Sequence, residues 1–163
     1  MHPDRLTTTI LSKALHYFSK ALYYLKQDPS TSSKQYSRLY QKLMDTSLRL
    51  SMLCHSSPSE RKEYADQAKE YGEAALINAM RVGDECMVAQ IQFHLACASV
   101  WKVYLAARRA GVEPRAFPAR EEVEVHVVER LGVLQRFGNL EMGWFEEQAE
   151  KFLGYLSSPS GTG

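Results

Sequence analysis

Two long helices are predicted within Pro58–Ala110, PSERKEYADQAKEYGEAALINAMRVGDECMVAQIQFHLACASVWKVYLAARRA. Small residues recur there at intervals of three and four, the spacing that places side chains on one face of an α-helix. In the first half these residues are Ala65, Ala68, Gly72, Ala75 and Ala79. In the second half the rhythm runs through Ala89, Phe93, Ala96, Val100, Val103, Ala107 and Ala110. Faces with so few bulky side chains let helix backbones approach closely.

The boundaries of these two helices are marked by residues that end and start helices. Gly83 can adopt the left-handed conformation that ends one helix, and Asp84 can cap the next. We therefore predict helices over Pro58–Val82 and Asp84–Ala110, joined as an antiparallel hairpin. Ser57 is predicted to cap the start of the first of them, because Glu60 follows it at the spacing of a capping box.

The first helix, predicted over Leu6–Gln27, has an unusually wide apolar arc. One face contains Ile10, Ala14, Tyr17, Ala21 and Tyr24. The adjoining face contains Leu11, Leu15, Phe18, Leu22 and Leu25. Together they cover about half of the helix circumference. We expect this helix to touch neighbours on two sides.

Further helices are predicted on either side of the central pair. A helical stripe runs from Tyr36 to Cys54. The segment Glu121–Val128 fits a half-exposed strand and a helix equally well, and we favour the helix because a lone strand would have no partner for its backbone groups. Gly138 is expected to end this fifth helix, and Asn139 to cap a sixth.

Length and composition are typical of one folded domain. The chain has 163 residues, 45% hydrophobic and 24% charged. We predict a single all-α domain over residues 1–157, with about six helices in antiparallel hairpins, and a disordered tail at 158–163. A closed helical bundle is the structural alternative. Three cysteines without a close pair favour an intracellular location, in the cytoplasm or nucleus, and no segment suggests a membrane span.

Two groups of residues resemble a tetratricopeptide repeat. The first is Ala14, Phe18 and Ala21, followed by a turn at Pro29. The second is Ala68, Gly72, Ala75 and Leu76, followed by Gly83-Asp84 and by Leu95-Ala96. The two groups lie 54 residues apart, so the resemblance implies an irregular stack of hairpins over about residues 6–111 without the 34-residue period. It also implies a scaffold that binds a peptide or helix in a concave groove.

No pattern of catalytic or metal-ligating residues emerges from the sequence. None of the five histidines follows a glutamate by three residues, the spacing of di-iron helical bundles. The one Gly-x-Gly, Gly161-Thr162-Gly163, lacks the strand and helix of a phosphate-binding loop. We therefore predict no enzymatic activity, no cofactor and no metal.

A mixed aromatic and polar stripe on the fourth helix is the first candidate binding site. It contains Gln90, His94, Cys97, Trp101, Tyr104 and Arg108. Trp, Tyr and Arg dominate the energetics of protein interfaces, so the stripe suits a partner. The alternative is that these residues pack as core under the fifth or sixth helix.

A basic row on the first helix is the second candidate site. It contains Lys13, His16, Lys20 and Tyr23. Residues 1–59 have eight Lys/Arg and three Asp, a net charge of +5, whereas residues 60–163 have a net charge of −4. Such an asymmetry can steer an acidic partner or let two copies meet head to tail. An ordinary solvated helix face is the alternative.

These patterns together predict a protein–protein interaction module, an adaptor or scaffold subunit that binds a partner helix or linear peptide. One alternative is a homodimerising assembly domain, in which the apolar arc of the first or last helix completes a dimer. A second alternative is weak binding of nucleic acid or an acidic partner through the basic N-terminal hairpin.

Overall fold

The computed structural model describes residues 3–53 and 57–157, with side chains from residue 5 onward. The regular structure in these ranges is helical: α1 (Pro3–Gln27), α2 (Ser33–Leu53), α3 (Pro58–Val82), α4 (Glu85–Ala110), α5 (Arg120–Leu134), α6 (Met142–Ser157) and a 3-10 turn at Pro114–Ala116. The predicted all-α class is therefore confirmed, and 121–128 is helix. His2, Cys54, His55 and the predicted tail at 158–163 lie outside the described residues.

The chain divides into two compact units, Met1–Glu85 and Cys86–Gly163. The first unit contains α1, α2 and α3. The second contains α5, α6 and all of α4 after its first residue. The single domain over residues 1–157 stays a prediction.

In the first unit, the small-residue face of α3 is buried and packs against α2. Ala68, Ala75 and Ala79 have no exposed surface. Ser37 Oγ, near the start of α2, donates to the carbonyl of Ala75 at 2.9 Å. Ser51 Oγ, near its end, donates to the carbonyl of Arg61 at 2.6 Å. Because early α2 meets late α3 and late α2 meets early α3, the two helices are antiparallel.

The turn between α1 and α2 is closed by side-chain hydrogen bonds. Asp28 Oδ1 accepts from the backbone N–H of Ser30 at 2.9 Å and from its hydroxyl at 2.7 Å. These two bonds lower the pKa of the Asp28 carboxyl. The carbonyl of Leu25, at the end of α1, accepts from Thr31 Oγ1 at 2.8 Å and from Tyr36 Oη at 3.1 Å. The bonds make α1 and α2 a hairpin.

The predicted boundaries of α3 are confirmed by its caps. Ser57 Oγ accepts from the backbone N–H of Glu60 at 3.4 Å, with Pro58 at the first helical position. Gly83 has φ +78°, and its N–H donates to the carbonyls of Ala79 and Met80. A left-handed φ at this position favours glycine, since a Cβ would be strained there.

The predicted boundaries between α5 and α6 are wrong. The last residue of α5 is Leu134, four residues before Gly138. The chain then forms a tight turn, in which the N–H of Phe137 donates to the carbonyl of Leu134 at 3.0 Å. Asn139 lies in a turn and does not cap α6, whose first residue is Met142.

In the second unit, aromatic side chains join α4 to α6. The ring centroids of Phe93 and Phe145 are 5.5 Å apart, and those of Trp101 and Tyr155 are 5.1 Å apart. The helix α5 contributes Val127, which is fully buried. Within the described parts of the chain, no helix combines the length and apolarity needed to cross a membrane.

Candidate functional site

The predicted stripe on α4 lies largely in the interior of the second unit. Trp101 is 2% exposed and Tyr104 is 7% exposed. Their rings stack with centroids 5.0 Å apart, and Tyr155 of α6 lies 5.1 Å from Trp101 and 5.3 Å from Tyr104. Trp101 and Tyr104 therefore pack as core, which was the alternative to a binding role for this stripe. In this conformation they offer a partner almost no surface.

The remaining members of the α4 stripe interact within the second unit. Arg108 is exposed, and its Nη1 donates to Tyr104 Oη at 3.1 Å while its guanidinium lies 5.7 Å from the Tyr104 ring centroid. His94 is half-buried, with its ring 5.6 Å from that of Trp144. Gln90 Nε2 donates to Cys86 Sγ at 3.3 Å. Arg108 and His94 thus contact aromatic residues of this unit, whereas Gln90 contacts Cys86.

Cys97, in the same stripe, is also buried. It is 1% exposed, and burial raises the pKa of its thiol to about 12. Loss of solvent disfavours the charged thiolate. A thiol that remains protonated is a poor nucleophile and a poor metal ligand, so Cys97 serves the packing of the core.

The α1 outer face, which we define as Leu6, Ile10, Tyr17 and Tyr24, is a row of exposed apolar side chains along one helix face. The exposed fractions of these four side chains are 51%, 58%, 66% and 60%. Every described side chain of α1 is at least partly exposed to solvent. Exposed apolar side chains that share one face mark an interaction surface more often than scattered ones do.

The predicted basic row borders the α1 outer face. Lys13, His16, Lys20 and Tyr23 are all exposed. By helical periodicity of about 100° per residue, the two lysines lie beside the apolar residues, with His16 and Tyr23 further round the helix. A shallow surface depression at this edge is lined by Thr8, Thr9, Ser12, Lys13, His16 and Tyr17. The structure thus places the basic row beside an apolar face, and the residues of that face were not among the predicted site residues.

The reason for the exposed face is that α2 covers α1 from one side. Phe18, on the adjoining face of α1, lies against α2, where Lys42 Nζ is 5.8 Å from its ring centroid. The sequence signal for the α1 outer face was the half-circumference apolar arc. Periodicity alone did not indicate which half of the arc α2 would cover.

A second exposed surface lies on α5 and is acidic. Val125 and Val128 are 55% and 58% exposed. A groove between α4 and α5 is lined by Ser99, Glu121, Glu122, Val123, Val125, His126 and Glu129. Glu121, Glu122 and Glu129 are exposed. Elsewhere on α5, Arg120 Nε pairs with Glu124 Oε1 at 2.8 Å, which raises the pKa of the guanidinium.

The described residues contain no group of three His, Cys, Asp or Glu side chains arranged to hold a metal ion. No family model matches the chain, and no curated protein or solved structure matches it significantly. The resemblance to a tetratricopeptide repeat stays a prediction.

Proposed function

We propose that this protein is a protein–protein interaction module and that the α1 outer face docks an amphipathic helix of its partner. The observation that carries the proposal is the row Leu6, Ile10, Tyr17 and Tyr24, each more than half exposed along one helix. A helix that lies in register on such a row covers it with its own apolar face, the arrangement of helix-in-groove recognition.

The apolar residues of the face supply the driving force for docking. Removal of apolar surface from water contributes about 25 cal/mol per Å². Two of the four residues are tyrosines, which bury a large ring at low entropic cost and retain a hydroxyl for the rim of an interface. The contact requires no rearrangement of the α2–α3 pair, because these side chains are already at the surface.

The charges beside the face determine which helix fits. Lys13 and Lys20 are exposed and lie two helical turns apart on the same edge. A partner helix with an acidic edge can place carboxylates opposite both ammonium groups, whereas a basic edge is repelled. Charge complementarity of this kind gives specificity and a faster association rate, both weakened by salt.

The test uses the full chain and two synthetic amphipathic helical peptides with the same leucine row. One peptide has a glutamate edge and the other a lysine edge, and fluorescence anisotropy reports binding. We expect the acidic peptide to bind and the basic peptide to bind at least tenfold more weakly. Ile10→Ser with Tyr17→Ser should weaken binding of the acidic peptide at least tenfold.

Charge reversal at Lys13→Glu with Lys20→Glu should invert the preference between the two peptides. Lys26→Glu is the matched control, since this exposed lysine lies roughly 120° around the helix from Lys20. Equal affinity of both peptides, or no effect of the Ile10 and Tyr17 substitutions, would contradict the proposal. Tighter binding of a DNA duplex than of the acidic peptide would favour the nucleic-acid alternative instead.

A further inference from the structure

We infer that the helix that docks on the α1 outer face is α5 of a second copy of this chain, so that the protein assembles head to tail. The inference rests on the proposed function and names its partner. Its basis is that α1 and α5 both expose apolar side chains, and that their charged edges have opposite sign and equal spacing.

The exposed side of α5 has the features that the α1 outer face requires of a partner. Val125 and Val128 supply apolar surface at 55% and 58% exposure. Glu122 and Glu129 lie on the same side and are exposed. They line the groove beside α4, which gives the acidic edge a concave border. The exposed side of α5 therefore combines an apolar ridge with an acidic edge.

The charges on the two helices are in register. Lys13 and Lys20 are seven residues apart, as are Glu122 and Glu129. Seven residues are two helical turns, a rise of about 10.5 Å. When the helices lie side by side with one Lys–Glu pair aligned, the second pair is aligned as well. This match holds whether the helices run parallel or antiparallel.

The apolar residues between the charges also match. Tyr17 lies between the two lysines, and Val125 lies between the two glutamates. Gly132, seven residues after Val125, continues the exposed side of α5, and a Cβ built there meets nothing within 4 Å. The open space beside Gly132 leaves room for a bulky side chain of the other copy.

Like-with-like pairing is disfavoured by the same charges. Two α1 outer faces would bring four lysines together, and two α5 helices would bring four glutamates together. Like charges across an interface are strongly unfavourable. The contact is therefore between two different surfaces. Each copy has both of them, so the contacts close into a reciprocal dimer or a ring, or extend further.

The test is sedimentation velocity of the full chain over a range of protein and salt concentrations. We expect self-association that weakens at least tenfold in 0.5 M salt. Lys13→Glu with Lys20→Glu should weaken it at least tenfold, and so should Glu122→Lys with Glu129→Lys. In each variant one edge has been reversed, so α1 and α5 repel.

Mixing the two charge-reversed variants is the decisive step. The acidic α5 of the first variant then meets the basic α1 of the second, and the acidic α1 of the first meets the basic α5 of the second. We expect association of the mixture at close to wild-type strength. Lys26→Glu should associate like the wild type. A mixture that stays dissociated would overturn the inference.

Folding of the variants is controlled by far-UV circular dichroism. Glu122 lies in the first turn of α5, where negative charge favours the helix, so Glu129→Lys alone is a second variant that spares this turn. A monomeric wild-type chain that still binds the acidic peptide would overturn the inference and leave the proposed function intact. A wild-type chain that neither associates nor binds the peptide would overturn both.

Discussion

The two candidate stripes, one on α1 and one on α4, combine aromatic and basic side chains at helical spacing but end in opposite environments. On α4, Trp101 and Tyr104 are covered by Tyr155 of α6. On α1, Tyr23 of the basic row is 62% exposed, and Tyr17 and Tyr24 of the α1 outer face are also more than half exposed. The difference lies in the neighbouring helices and not in the stripes. Residue type and spacing predict a face, and a second helix decides whether that face is core or surface.

The largest expected loss of stability is at Trp101, in the buried stripe on α4. Trp101→Ala should lower the free energy of unfolding by about 3–5 kcal/mol, the usual cost of truncating a buried tryptophan. Chemical denaturation followed by circular dichroism measures it. A cost below about 1 kcal/mol would mean that Trp101 is not core and would remove the contrast with α1.

A smaller effect is expected at Cys97. Cys97→Ser should lower the free energy of unfolding by about 1–3 kcal/mol, because a hydroxyl replaces a buried thiol in an apolar setting. Cys86→Ser, at a half-buried position of the same helix, is the control and should stay within about 0.5 kcal/mol. Equal losses of stability at the two positions would contradict the deeper burial of Cys97.

The pH dependence of stability offers a second measurement at Cys97. Burial raises the pKa of its thiol to about 12 in the folded chain, from an ordinary value of 9.0. The unfolded chain therefore binds fewer protons above pH 9.0, and the free energy of unfolding should fall as pH rises through this range. Denaturation of the wild type and of Cys97→Ser between pH 8 and 10 tests it, since the serine variant should lose less stability.

At Arg108, on the exposed end of the buried stripe, the expected loss of stability is modest. Arg108→Ala removes the hydrogen bond and the cation–π contact to Tyr104 and should cost about 0.5–1 kcal/mol. Arg109→Ala, at the next exposed position, matches it in helix propensity and charge. Thermal denaturation of both variants gives the difference, and a zero difference would show that the contact to Tyr104 contributes nothing.

The smallest effect on stability is expected on the α1 outer face. Tyr17→Ser should change the free energy of unfolding by no more than about 0.5 kcal/mol, since the ring is 66% exposed. The same variant should bind the acidic peptide more weakly. A large loss of stability would instead place Tyr17 in the core and remove the main support for the α1 outer face.

Much of the fold was predictable because its signals are local. The capping pair Ser57 and Glu60 and the left-handed Gly83 set the boundaries of α3 through backbone hydrogen bonds within a few residues. The region between α5 and α6 was predicted less well. There Gly138 and Asn139 look like boundary residues but lie inside a turn.

The candidate site was predictable only in part. The basic row Lys13, His16, Lys20 and Tyr23 is exposed, as a polar helix edge should be. The apolar residues beside it were recognised as a face but not as an open one. Their exposure depends on α2 covering α1 from one side, which is a property of packing and not of spacing.

The amino-acid sequence by itself determined the helices, the small-residue face of α3 and the two-sided apolar arc of α1, because periodicity and capping act within one helix. Only the tertiary structure decided which apolar face is covered. Burial is a relation between residues distant in the chain, as Trp101 and Tyr155 illustrate at 5.1 Å. The same chemistry can therefore be core on one helix and a docking surface on another.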